Sequence, residues 1–194
     1  MSVLMRAREM TGRPVVTLDT AEALAEVKDV VIAYDSASLV GFTLNGTGFL
    51  GSPLSSVLPW SGVAALGPDA VMVEGGDALV PADGAMQEAA EAAGDRDVIG
   101  ATVMTEEGAA LGAVVDVIVE VGERARIVGF EMHGPSVERD RAAATLLIPA
   151  GDTLAVSGDT LMVPAAAAEF VRDDLSGFGS AVADFRARLR GGDR

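Results

Sequence analysis

The chain contains no cysteine, a single histidine (His133), a single tryptophan (Trp60), a single tyrosine and a single lysine (Lys28) in 194 residues. Without cysteine there can be no disulfide, no thiol nucleophile, no iron–sulfur centre and no cysteine-based zinc site. With one histidine, neither a two-histidine metal site nor a relay needing a second imidazole can be assembled. No apolar run approaches the roughly 18–20 residues that a membrane-crossing helix requires. Arg6 and Arg8 near the N-terminus are not followed by an apolar stretch, so no secretory signal is expected. These absences lead us to expect a soluble, cytoplasmic protein, because a reducing compartment suits a cysteine-free chain.

Aromatic residues make up only 4%, although hydrophobic residues reach 49% and mean hydropathy is +0.36. The core must therefore be built from Val, Leu, Ile, Ala and Met. The 23 glycines suit tight turns and bent strands. The formal net charge is −15, with twelve acids against four bases in residues 1–94 and seventeen against ten in residues 95–194. Charge of that sign repels phosphate backbones and anionic lipid, so no direct nucleic-acid contact is expected.

The chain repeats itself. Asp29-Val-Val-Ile followed by Leu39-Val-Gly-Phe matches Asp116-Val-Ile-Val followed by Ile127-Val-Gly-Phe. Val57-Leu-Pro answers Leu147-Ile-Pro, and Asp69-Ala-Val-Met-Val answers Asp159-Thr-Leu-Met-Val. Gly12 aligns with Gly100 and Leu24 with Leu111. Identical Asp, Gly, Phe, Pro, Asp, Met and Val in the same order at a nearly constant offset indicate a duplicated unit.

Each unit reads as antiparallel β. Residues 27–34 and 38–44 form one expected hairpin, and residues 114–121 and 125–132 form its counterpart. Gly41 and Gly129 lie inside the second strand, where a glycine permits a bend or bulge, and Phe42 and Phe130 follow as candidate core plugs. Shorter strands are expected at 56–58, 64–66 and 70–74, and again at 145–148, 153–156 and 160–163. We divide the chain into a first unit at 1–80, an acidic helical linker at 81–97, a second unit at 98–164 and a C-terminal helical segment at 165–194. In that last segment Pro164 opens one helix, Gly177 and Gly179 are expected to break it, and a second short helix spans 181–189.

Few residues point to chemistry. Asp29 and Asp116 occupy equivalent positions, and a carboxylate in a bent strand is expected to accept backbone N–H groups rather than move protons. Asp69 and Asp159 read as turn residues. The neighbours Glu106 and Glu107, and Asp173 and Asp174, lack the spacing of a calcium loop, and Gly75-Gly76 lacks any phosphate-cradling pattern. Catalytic, cofactor and metal residues are therefore expected to be none. Trp60 is the most informative single residue: it caps an open end of the first unit or anchors a partner, and tryptophan is enriched among interface hot spots. The copies differ most at 45–56 and 133–144, so Phe49, Leu50, His133, Arg139 and Arg141 join Trp60 as candidate partner-binding residues.

The string Gly12-Arg-Pro-Val-Val, the segment 27–32, Leu39-Val-Gly-Phe and Val57-Leu-Pro together resemble the PRC-barrel family. The second unit resembles it too, with the turn Glu107-Gly-Ala-Ala-Leu-Gly that the first unit lacks. The resemblance implies a mainly β fold of two tandem, small, strongly bent antiparallel barrels packed about a pseudo-twofold axis. It carries no catalytic residue set. The duplication, with no catalytic constellation beside it, leads us to expect an adaptor or scaffold that binds a protein partner, as a monomer with paired barrels or as a homodimer. The family also occurs in the H subunit of photosynthetic reaction centres and in a 16S rRNA maturation factor. Alternative expectations are therefore a ribosome-maturation or RNA-processing role, and an enzyme or small-ligand binder with an unrecognised site.

Overall fold

A computed structural model of the chain describes residues 3–34, 36–47, 51–82, 98–134, 145–151, 155–157 and 159–191. The linker expected at 81–97 falls almost wholly outside these, as do Phe49, Leu50, Arg139 and Arg141.

The described residues are mainly β. In the first unit β2 (Pro14–Thr17), β3 (Ala23–Ala33), β4 (Ser38–Asn45), β5 (Pro53–Pro59), β6 (Val63–Leu66) and β7 (Val71–Val73) follow one another. The second unit repeats them as β9 (Thr102–Thr105), β10 (Ala110–Val121), β11 (Arg126–His133), β12 (Leu146–Pro149), β13 (Ala155–Ser157) and β14 (Thr160–Val163). Two strands have no described counterpart, β1 (Val3–Arg6) and β8 (Val80–Pro81).

The duplication extends to hydrogen bonds. β2 runs parallel to β7 with Val15 opposite Val71, and β9 runs parallel to β14 with Val103 opposite Leu161. All other strand pairs are antiparallel. Gly12 N–H donates to Val27 O and Gly100 N–H to Val114 O, both at 2.8 Å. Both glycines have positive φ, 80° and 87°, a conformation that a side chain would strain. Register slips at the same places in each long hairpin. Lys28 and Val115 are the extra residues on β3 and β10, while Val40 and Val128 are the extra residues on β4 and β11, each beside the expected bend glycine.

The two units meet about a pseudo-twofold axis. Leu39 N–H donates to Ala125 O at 3.0 Å and Ile127 N–H donates to Ala37 O at 2.7 Å, an exchange between equivalent positions. There β4 and β11 touch antiparallel, with Ser38 opposite Arg126, and the strands of both units join in one hydrogen-bonded path that is not closed. Phe42 and Phe130 are fully buried, as expected of core plugs, in one apolar cluster that draws on both units.

Two elements tie the termini to the second unit. β1 pairs with β10, Leu4 opposite Glu120 and Arg6 opposite Ile118. The C-terminal helix, α1 (Leu175–Gly191), lays Phe178, Ala181 and Val182 over Ile118, Val128 and Leu147. The expected break at Gly177 and Gly179 is not found, since α1 runs through both. Packing outweighs their low helix propensity, and Gly177 N–H is capped by Asp174 Oδ1 at 2.7 Å. The segment after Pro164 is a 3-10 turn, Ala165–Phe170, not an α-helix. α1 packs close on Gly129: a Cβ there would collide with Ile148 O and with the Phe178 ring.

Candidate functional site

The bulges at Lys28 and Val115 turn two equivalent strand segments toward the same space. Between them lies a cleft of about 730 Å³ lined by Lys28, Asp29 and Val30 of β3 and by Val115, Asp116 and Val117 of β10. Thr11 and Ile99, equivalent in the duplication, also line it, so the cleft straddles the pseudo-twofold axis. Leu44, Leu54 and Val57 give one wall an apolar character.

The two sides of the cleft differ in charge. On the second-unit side Asp116 lines the cleft and Glu131 lies behind it, both only 2% exposed, and the N-terminal segment brings two arginines to them. Arg6 grips Glu131 with Nε at 2.8 Å from Oε2 and Nη2 at 3.1 Å from Oε1, a bidentate pairing. Arg8 Nη2 adds a bond to Glu131 Oε2 at 3.3 Å, and the Thr145 hydroxyl donates to Oε1. Asp116 Oδ1 accepts the N–H groups of Val117 at 2.8 Å and Arg8 at 3.2 Å. Its Oδ2 lies 3.0 Å from Arg8 Nε, an ion-pair distance without hydrogen-bond alignment.

These contacts set the two carboxyls apart. For Asp116 burial is the largest effect and pushes its pKa up, only partly offset by the N–H bonds and the Arg8 charge. Burial also opposes ionisation of Glu131, but the Arg6 and Thr145 hydrogen bonds with both arginine charges outweigh it and hold that carboxyl below its ordinary value.

On the first-unit side the equivalents are Asp29 and Thr43. Asp29 is open, its side chain 64% exposed, with Lys28 Nζ at 3.2 Å from Oδ2 and the Thr43 hydroxyl donating to Oδ2 at 3.3 Å. No arginine reaches it among the described residues.

Trp60 lies outside the cleft. It sits half-buried in the 3-10 turn Trp60–Gly62 after β5, its ring 6.2 Å from that of Phe42 and packed on the main core. His133 ends β11, partly buried, and its Nδ1 has no hydrogen-bond partner among the described residues. The expected partner-binding residues that can be placed are thus not brought together by the cleft. Asp29 and Asp116 both reach it, and Asp116 accepts backbone N–H groups as a strand carboxylate was expected to do. The sequence reading missed Arg6, Arg8, Glu131 and Thr145. One signal was available: Glu131 sits between Phe130 and Met132 in a strand whose other interior residues, 127–132, are apolar or glycine. Among the described residues no three His, Cys, Asp or Glu side chains gather as a metal site. What the arrangement can do chemically is hold cationic and hydrogen-bonding groups beside an apolar wall.

A duplicated, bulged β unit whose first hairpin strand pairs in parallel with its last strand defines a tandem β-repeat fold. The PRC-barrel domain family model matches twice in tandem, at residues 3–80 and 91–169, and the chain belongs to that family. A search of curated proteins found no match.

Proposed function

We propose that this chain is a non-enzymatic adaptor that holds a protein partner in the cleft across its pseudo-twofold axis. The observation that carries the reading is the cleft itself, about 730 Å³, apolar on one wall and charged at its rim, at the seam of two binding modules. An extended segment of a protein chain can dock in such a groove, its apolar side chains on the wall and its polar groups at the charged rim. The charge of −15 disfavours direct contact with RNA, and therefore a ribosome-maturation role exercised through RNA. A cytoplasmic location goes with the adaptor reading. It is supported by the absence of cysteine and by the lack, among the described residues, of any helix long and apolar enough to cross a membrane.

The test is affinity capture from the native host with three baits: the intact chain, Leu54→Asp in the cleft wall, and Trp60→Ala. Leu54 is 39% exposed, so its replacement leaves the core intact. A partner held by the intact chain and by Trp60→Ala, but lost with Leu54→Asp, supports the cleft. Loss with Trp60→Ala alone moves the contact to the outer end of the first unit, and no partner under cross-linking conditions defeats the adaptor reading.

A further inference from the structure

The cleft is built from equivalent segments, yet its two sides are filled differently. At Asp116 the place beside the carboxylate is taken by Arg8, whose Nε stands 3.0 Å from Oδ2. At the equivalent Asp29 the described residues supply Lys28, its own chain neighbour, and the Thr43 hydroxyl. Asp29 and Thr43 face the same cleft as the apolar residues Val30, Leu44, Leu54 and Val57. A lysine ammonium next to a carboxylate is a point charge and leaves the planar, two-oxygen face of that carboxylate unused. An arginine fork matches that face, as Arg6 shows on Glu131.

We infer that the first-unit side of the cleft binds an extended, arginine-bearing segment of a protein partner. Its guanidinium would pair with Asp29 and Thr43 in the place that Arg8 takes at Asp116, and its apolar side chains would lie on Val30, Leu54 and Val57. The inference rests on the adaptor reading and names the chemistry of the partner. Charge complementarity favours it, since the chain carries fifteen excess negative charges. The chain's own N-terminal segment displays the pattern on the second unit: Leu4 and Met5 are apolar, Arg6 and Arg8 carry the charge, and β1 lies extended along β10.

The probe is a synthetic peptide with the sequence of residues 3–10, Val-Leu-Met-Arg-Ala-Arg-Glu-Met, titrated into the intact chain and followed by amide chemical shifts. We expect saturable one-to-one binding, with shifts centred on residues 28–31, 43 and 54. Binding should weaken about three- to tenfold for the peptide carrying R8A and for the chain carrying Asp29→Arg. Asp29 is exposed, so the variant folds, and its unchanged melting temperature is the control. No saturable binding, or binding indifferent to Asp29→Arg, overturns the inference. The duplication puts Arg96 in register with Arg8. Binding that emerges only in an Arg96→Ala chain therefore assigns the place to this chain itself, and also overturns it. Failure of the peptide alongside a captured partner sensitive to Leu54→Asp would defeat the arginine preference and leave the adaptor reading standing.

Discussion

Glu131 and Asp116 lie within one charged cluster and respond to pH in opposite senses. Glu131 has a folded pKa below its unfolded one, so its stabilisation is present above the ordinary carboxylate range and is lost as pH falls through the lowered value. Asp116 has a raised folded pKa, so the folded state binds its proton more tightly, and stability declines as pH rises from the unfolded to the folded value. Glu131→Gln should cost about 2–3 kcal/mol at neutral pH, because it leaves the largely buried Arg6 with only the exposed Glu9 as an acid partner. It should also flatten the acid limb of a stability–pH curve measured by urea unfolding. Asp116→Asn should cost less at neutral pH, since an amide oxygen can still accept the Val117 and Arg8 N–H groups, and should remove the decline. A second residue-scale effect is backbone strain. Ala21 has φ 56° in an exposed turn, and Ala21→Gly should raise stability by about 1 kcal/mol in thermal melts. That the pairings within the cluster were illegible in the sequence has a physical reason. Its bonds join residues 125 and 108 apart, and nothing local marks an arginine as the future partner of a distant acid.

β1 and α1 show what lies between local pattern and tertiary context. The long hairpins were legible because alternation, a turn and a bend glycine coincide within twenty residues, and the duplication displayed them twice. β1 was not, since four residues carry too little periodicity to announce a strand, and it is stabilised through β10 and the ionic cluster. α1 was read as interrupted because glycine propensity is a local quantity, whereas Phe178, Ala181, Val182 and Phe185 are buried by distant strands. Removing residues 1–9 should therefore destabilise the chain by about 3–5 kcal/mol, leaving Glu131 and Asp116 buried without their cations. Adding Glu131→Gln to the truncated chain should recover part of that loss in chemical unfolding. On α1, Phe178→Ala should cost about 3–5 kcal/mol by the same measurement, because the ring is fully buried against Gly129 and Ile118.

At the scale of the molecule, one apolar cluster draws residues from both units, with Phe42 and Phe130 in the same network. Folding is then expected to be one cooperative event rather than two. The single tryptophan makes this measurable: Trp60 fluorescence reports the first unit, while circular dichroism reports strands of both. The two urea transitions should coincide, and a displacement between them would show that the units unfold separately. Light scattering should give the mass of one 19.7 kDa chain, because the surface that a one-unit relative would present to its twin is already covered internally.

The paired bonds of Ala37 and Ala125 set a consequence for how this protein can change. In a dimer of identical subunits every substitution is made twice, so neither side of a twofold cleft can be altered alone, and the pair dissociates on dilution. Joining both halves in one polypeptide keeps their local concentration fixed by the tether. It also lets each half mutate independently. Asp29 with Thr43 on one side and Asp116 with Glu131 on the other are the record of that freedom: one position turned inward to hold the fold together, its twin left facing out.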